Sequence, residues 1–305
     1  MLFVPSSFPV RSQFDEARQV MAILDQYPDL DRHRQSRFAT MASSIVSGEG
    51  AIIPPTRPDF DVVLQAMKDL LEFSIIWESL QPSPSNTLLW SKLREMFGDN
   101  AARKDASKNQ LARNTQFELL NLAMFQRAGC EPQLLPTGPE FRCRLGSVEF
   151  SVECKRVLSL DQMSKRLREG ARQIKRGGGP GFLMIDYSWA VNPSDNLLLL
   201  NGRPQDFERK QRERFTLFWR DHGSDLEKTL VTKGVLGIGL FDYLFVQEGG
   251  NKESGVGRWL TYFIRDFRRF TCQRDEHIRL ARNVFDFLTV LGLPAPNESP
   301  VPSRP

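Results

Sequence analysis

The sequence predicts an α/β protein whose first hundred residues are all helical. Apolar residues there recur at three- and four-residue spacing, and beyond Gly129 the apolar period drops towards two, as in strands. Glycine-rich breaks then separate strand-like from helix-like segments. The chain has 305 residues, 40% of them hydrophobic, which is enough for one large core or two domains. We expect a helical domain at 1–104, an α/β domain at 105–292 and a disordered proline-rich tail at 293–305.

The predicted elements follow from this periodicity. Helices are expected at 14–23, 32–46, 59–75, 88–97, 106–127, 161–175, 206–230 and 277–291. Strands are expected at 133–135, 140–145, 148–157, 182–187, 197–200 and 235–246. Gly146 and Ser147 predict a hairpin turn between the second and third strands. Residues 247–257 are a predicted loop, and 259–270 fits strand or helix.

Composition excludes several classes of function. Lysine and arginine total 41 and aspartate and glutamate 37, so the net charge of +4 does not indicate a general polyanion binder. Three scattered histidines make a His-rich zinc site a poor interpretation. The four cysteines form no Cys-x-x-Cys pair, which favours reduced, buried thiols. The N-terminus has no signal-peptide pattern, and no apolar run reaches the ~20 residues of a membrane span. We therefore expect a cytoplasmic protein without a membrane partner.

A group of side chains on the predicted hairpin carries the chemistry. Because side chains alternate along a strand, Glu153 and Lys155 project from one face of 148–157, while the apolar Val152 and Cys154 occupy the other. Glu140 begins the neighbouring strand and lies within reach across the hairpin. Two carboxylates beside an ammonium group are suited to holding Mg²⁺ against a phosphodiester. The lysine adds positive charge at the transition state or helps to deprotonate the attacking water.

A Glu-x-Lys triplet has little meaning alone, since a chain of this length contains about one by chance. Glu208-Arg209-Lys210, in a charged helix, is such a triplet and is expected to be solvated surface. Glu153-Cys154-Lys155 differs in its context of a preceding acidic helix, a hairpin, an apolar strand and a following basic helix. The alternative is an exposed ion pair on an edge strand.

This order of elements resembles the PD-(D/E)XK nuclease superfamily, the restriction-endonuclease-like fold, over roughly residues 106–190. The strand at 235–246 is a further candidate for the match. The resemblance implies a mixed sheet flanked by helices, with Glu140 at the P-D position and Glu153 and Lys155 as the E-x-K motif. Glu118 resembles the glutamate of the preceding helix, and Gln173 the glutamine of the following one.

The resemblance also implies roles for these residues. Glu140 and Glu153 would ligate Mg²⁺ or Mn²⁺, and Lys155 would act at the transition state. Glu118 would assist metal or water binding, and Gln173 would orient the site or contact the nucleic-acid backbone. For Glu118 and Gln173 the alternative is an ordinary surface position on a helix. Glu140 departs from the aspartate usual in the family, and its extra methylene requires a small backbone offset, such as a bulge.

Positive charge is concentrated just after the motif. Seven basic residues against two acidic ones lie between 156 and 176. Such a cluster can track phosphates and gives binding a steep salt dependence, whereas the alternative is a solvated helix face. We assign nucleic-acid binding to Arg156, Lys165, Arg166, Arg172, Lys175 and Arg176.

The leading hypothesis is an Mg²⁺-dependent nuclease that acts on DNA. A second is a catalytically inactive nucleic-acid-binding module on the same fold, motivated by Glu140 in place of aspartate. A third is a protein-interaction or regulatory protein, motivated by the helical N-terminal region. The sequence does not distinguish DNA from RNA. A homodimer suits double-strand cutting, but no residue in the sequence shows one.

Overall fold

The chain forms a mixed α/β sheet with helices packed on both faces. The computed structural model describes residues 2–8, 22, 26–27, 72–83, 85–97, 111–191, 198–200, 204–248 and 254–263. The described strands are β1 (Leu2–Phe8), β2 (Glu131–Leu134), β3 (Phe141–Leu145), β4 (Val148–Arg156), β5 (Gly181–Asp186), β6 (Leu198–Leu200), β7 (Val235–Glu248) and β8 (Ser254–Phe263). The helices are α1 (72–80), α2 (Thr87–Phe97), α3 (Leu111–Arg127), α4 (Leu160–Arg176), α5 (Ser188–Val191) and α6 (Pro204–Thr232).

Strand order places β4 inside the sheet. The described strands run β1-β8-β7-β5-β4-β3-β2, with β6 beside β7. Strands β4, β5 and β7 are mutually parallel, while β3 and β2 continue the sheet antiparallel on one side and β8 and β1 on the other. Helix α4 connects β4 to its parallel neighbour β5. Because β4 has a partner on both sides, its backbone is held rigidly, which suits a strand that positions functional side chains.

The hairpin of β3 and β4 has the predicted turn. Leu145 pairs with Val148, which leaves Gly146 and Ser147 as the two turn residues. Gly146 has a φ of 61°, a left-handed conformation that favours glycine and that two-residue hairpin turns require. The turn therefore sets the register in which Phe141 faces Val152 and Ser151 faces Arg142.

Two apolar layers cover the sheet. Side chains of α3, β3 and β4 form one core with the inner faces of β5 and β7, and α4 and α6 pack against the other face in a second core. The first core also contains Phe73 of α1 and Leu93 and Phe97 of α2. The described part of the N-terminal helical region therefore shares a core with the sheet, across the predicted boundary at residue 104.

Most described elements agree with the sequence predictions to within a few residues, but the short helix α5 was not predicted and three other features differ. The expected all-helical N-terminus contains strand β1, which pairs with β8 from Leu2 against Tyr262. The segment 259–270, which fits strand or helix by pattern, is strand β8 as far as Phe263. The predicted loop at 247–257 is shorter than expected, because β7 continues to Glu248 and β8 begins at Ser254. These differences arise from pairing between distant segments, which local pattern does not report. The predicted helices at 32–46 and 277–291 and the tail at 293–305 lie outside the described residues, as does 14–23 except residue 22.

Candidate active site

Strand β4 carries the central pair of the site. Cys154 and its apolar neighbours on β4 point into the core under α3, whereas Glu153 and Lys155 point to the opposite face, under α4. Glu153 is fully buried, with 0% of its surface exposed. The Lys155 ammonium donates a hydrogen bond to Glu153 Oε1. The edge-strand alternative is therefore wrong: the motif lies on an internal strand, because β5 pairs alongside β4.

Helix α4 comes close to this pair at a glycine. A Cβ placed on Gly170 would lie 3.3 Å from Glu153 Cγ and 2.5 Å from Leu183 Cδ2. Seven residues later, a Cβ on Gly177 would lie 2.7 Å from Pro139 Cγ, beside Glu140. The helix backbone therefore lies directly over the site at these two points, where larger side chains would not fit.

Glu140 and Glu118 complete a group of three carboxylates. Glu140 ends the bend before β3 and is partly buried, and Glu118 of α3 is 8% exposed. Burial, together with the negative charges of Glu118 and Glu153, raises the pKa of Glu140 to about 8 against the opposing effect of Lys155 and Lys92. This mutual influence shows that the three carboxyl groups, which come from three separate elements, lie near one another.

Burial is also the largest influence on the pKa of Glu153, the central carboxyl group of the site. It raises the pKa of Glu153 to about 7, although the charge and hydrogen bond of Lys155 lower it. The backbone of Glu140 also lowers this pKa. Together these effects keep Glu153 near the point of ionisation at neutral pH, so its proton is easily displaced by a cation.

Lys92 of α2 also belongs to the site. Its Nζ lies 2.7 Å from Glu118 Oε2 and 3.6 Å from Glu95 Oε2. Burial alone lowers the pKa of Lys92, but the hydrogen bond and charge of Glu118, with the charges of Glu140 and Glu95, raise it above its usual value. Sequence reasoning missed this residue. The signal was a lysine at the edge of the apolar stripe of α2, which is too common to identify a site.

One atom of the site has unfilled bonding capacity suited to a cation. Glu153 Oε2 is buried and has no hydrogen-bond partner. Leaving a buried acceptor unpaired costs about 1–3 kcal/mol, and more for a charged group. A hard divalent cation held by Glu153 and Glu140 would satisfy it with the oxygen ligands that Mg²⁺ prefers. Within the described ranges, no three His, Cys, Asp or Glu side chains are grouped closely enough to hold a metal by themselves, so such a cation would keep several waters.

Gln173 lies on the side of α4 that borders the site. It is partly buried and falls between Gly170 and Gly177, one turn from each on the same helix face. Those glycines approach Glu153 and Pro139, so Gln173 is placed along the edge between the two candidate metal ligands. The structure thus brings Glu118, Glu140, Glu153 and Lys155 together and sets Gln173 at their margin.

The predicted basic residues divide into two groups. Arg156 and Arg166 are engaged in ion pairs, with Asp186 at 2.8 Å and with Glu169 at 2.9 Å. The other predicted residues are exposed and share the outer face of α4 with Arg168, which the prediction did not include; we call this face the α4 basic stripe: Lys165, Arg168, Arg172, Lys175 and Arg176. The stripe points away from the sheet, so it flanks the carboxylate site rather than lining it.

Comparisons with known proteins add no assignment. No family model matches the chain, and neither a curated protein nor a solved structure matches it. Among the described helices, none is both long enough and apolar enough to cross a membrane. We therefore infer the function from the geometry of the site.

Proposed function

We propose that this protein is a metal-dependent nuclease with a restriction-endonuclease-like fold that hydrolyses phosphodiester bonds in DNA. The observation that carries the proposal is Glu153: a fully buried carboxylate on an internal strand, paired with Lys155 through one oxygen and unpaired at the other. Burying a charged group costs free energy unless all of its charge is paired. Carboxyl groups whose pKa values are perturbed in this way are concentrated at functional sites.

Each residue has a role in this proposal. Glu140 and Glu153 would hold Mg²⁺ or Mn²⁺, and Glu118 would hold a water or support the metal. The bound ion would lower the pKa of a coordinated water and offset charge on the phosphate oxygens. Lys155, fixed by Glu153, would stabilise the negative charge that develops as the P–O bond to the leaving oxygen breaks. Gln173 would orient the site or contact the backbone of the substrate.

The α4 basic stripe supports a polyanionic substrate. Its five cations are exposed, they recur at three- and four-residue spacing apart from the adjacent Lys175 and Arg176, and they lie close to the strand that carries the site. For duplex DNA, a plot of the logarithm of the binding constant against the logarithm of the salt concentration has a negative slope. Each phosphate contact by such a cation adds about 0.9 to the steepness of that slope. Nucleic-acid binding by this face would therefore weaken steeply with salt.

A second candidate function is that of a catalytically inactive nucleic-acid-binding module on the same fold. Two observations favour it: burial raises the pKa of Glu140 to about 8, and among the described residues no three metal-ligating side chains lie close enough together to hold a metal by themselves. Both functions predict salt-sensitive DNA retention. They differ in cation binding, because the inactive module has no heat of Mg²⁺ binding that depends on Glu153.

The test is cleavage of supercoiled plasmid and of a linear single strand with Mg²⁺, Mn²⁺ or EDTA. Glu153→Gln and Lys155→Met are compared with Glu149→Gln, an exposed residue on the same strand. We expect cation-dependent cleavage by the wild type and by Glu149→Gln. Loss of about 100-fold or more is expected in the other two variants, the scale of removing one stabilising group from a transition state.

The outcomes separate the two candidates. Cleavage that survives both Glu153→Gln and Lys155→Met would refute the assigned site. Retention of DNA without cleavage, and without a Glu153-dependent heat of Mg²⁺ or Mn²⁺ binding, would establish the inactive module instead. The preferred substrate, duplex or single strand, would then narrow the biological role.

A further inference from the structure

Lys92 is the more open of the two lysines at the carboxylate site. Its side chain is 25% exposed, against 16% for Lys155. It projects from α2, on the α3 side of the site, whereas Lys155 projects from β4 on the α4 side. The two ammonium groups therefore approach the carboxylates from different elements, and Lys92 is the better placed to meet a ligand from solvent.

The neighbours of Lys92 that the structure describes do not use all the donors of its ammonium group. This group has three N–H donors. Among the described residues, Glu118 Oε2 is the acceptor within hydrogen-bond distance, at 2.7 Å. Glu95 Oε2 lies at 3.6 Å and itself accepts a hydrogen bond from Thr115 at 2.9 Å. Donor capacity therefore remains for an anionic acceptor.

The charges of the site show why a second lysine matters. Four carboxylates, Glu118, Glu140, Glu153 and the Glu95 beside Lys92, outnumber the two ammonium groups by two, so the fully ionised site is anionic and repels a phosphate. A divalent cation bound there makes the site neutral. Without Lys92 the same loaded site would keep one net negative charge and would repel the substrate.

We propose that Lys92 is a phosphate-binding residue, which donates hydrogen bonds to a backbone phosphate of the nucleic acid at the site. This inference rests on the proposed function, and it adds that the N-terminal helical region contributes directly to substrate binding. Lys155 is held against Glu153 and serves the reacting centre, whereas Lys92 holds the substrate in place. The sequence pattern predicts no site residue before Glu118.

The experiment measures how binding depends on salt, because that slope counts phosphate contacts. Binding of a fluorescent DNA duplex is followed by anisotropy between about 50 and 200 mM salt, the range over which phosphate contacts change affinity strongly. Ca²⁺ is added as the probe cation because it takes oxygen ligands. The recovered duplex is checked on a denaturing gel, so that every slope refers to uncut DNA.

The informative variant is the double substitution Lys92→Met with Glu118→Gln. It removes the ion pair without leaving a buried charge unpaired, and it keeps the net charge unchanged. The matched control is Lys228→Met with Glu227→Gln on α6, which packs on the opposite face of the sheet. We expect the slope to fall by about 0.9, one phosphate contact, in the Lys92 double variant and to stay unchanged in the control.

Two further variants complete the test. Lys92→Arg retains the positive charge and the donors, so it should keep the wild-type slope. If thermal melting shows that the double variant is unfolded, the salt slope is measured on Lys92→Gln instead. A wild-type slope in the double variant overturns this inference alone, since the nuclease is judged separately by cleavage in the Glu153→Gln comparison. If the wild type binds no DNA with Ca²⁺, this inference falls and the proposed substrate falls with it.

Discussion

The surroundings of two carboxyl groups of the site raise their pKa values to near neutral pH. Burial raises the pKa of Glu140 to about 8 and that of Glu153 to about 7, because water is excluded and other carboxylates are close. In the unfolded chain both groups ionise at about pH 4.5. The folded protein therefore binds more protons than the unfolded chain between these limits. Rising pH consequently destabilises the fold until both groups are ionised in both states.

For the wild type without divalent cation, we expect the free energy of unfolding to fall as pH rises from about 4.5 to 8. Glu140→Gln removes the group with the higher pKa, so its stability should vary less over this range and exceed that of the wild type at the alkaline end. Urea denaturation across the range measures the effect. Glu149→Gln, exposed on β4, should reproduce the wild-type curve, and an identical curve for Glu140→Gln would contradict the prediction.

At the scale of elements, the site depends on how closely α4 lies on β4. Gly170 and Gly177 are the points of closest approach, and the basic stripe on the outer face of the same helix faces solvent. The inner side of α4 therefore packs over Glu153, and its outer side presents positive charge to solvent. A small shift of α4 would move both features relative to the metal-binding carboxylates.

Gly170→Ala tests this contact. The added Cβ would lie 2.5 Å from Leu183 Cδ2 and 3.3 Å from Glu153 Cγ, so the helix or the glutamate must move. Overpacking of this kind costs about 1–3 kcal/mol, against about 1 kcal/mol gained from alanine in a helix. We expect the rate of cleavage to fall by a larger factor than the loss in free energy of unfolding alone would cause. Gly179→Ala has open space around its Cβ and should leave both cleavage and stability unchanged.

At the scale of the molecule, the helical region and the sheet are joined by one core. Phe73 and Phe97 contact edge to face with ring centroids 5.1 Å apart, and both belong to the cluster that contains β4 and α3. Lys92 reaches Glu118 from the same region. Because the apolar and polar contacts both cross residue 104, we expect the two parts to unfold together.

Leu93→Ala tests this coupling. Leu93 is fully buried in the shared core, and such truncations cost about 2–5 kcal/mol. The variant should unfold in one transition at lower temperature, with calorimetric and van't Hoff enthalpies equal, as in a two-state protein. Leu217→Ala, at a residue 47% exposed, is the control and should shift the midpoint little. Two separate transitions, with only the first displaced, would show that the helical region unfolds on its own.

Local pattern was enough to find the hairpin and the arrangement of its side chains. The alternation in 148–156 places Glu153 and Lys155 on one face, and Gly146 and Ser147 indicate the turn, because both depend on residues adjacent in sequence. The pattern could not show whether the motif lies on an edge or an internal strand. That depends on β5, which is brought alongside by the α4 crossover.

Local periodicity and composition are therefore enough to predict the motif, the helix and strand types around it and the positive charge that follows it. The burial of Glu153 and the approach of Lys92, 26 residues before Glu118, are visible only in the folded chain. The same holds for the strand that Leu2–Phe8 forms against β8. Burial and pairing between distant segments depend on how the whole chain packs, and that information is not contained in any single stretch of residues.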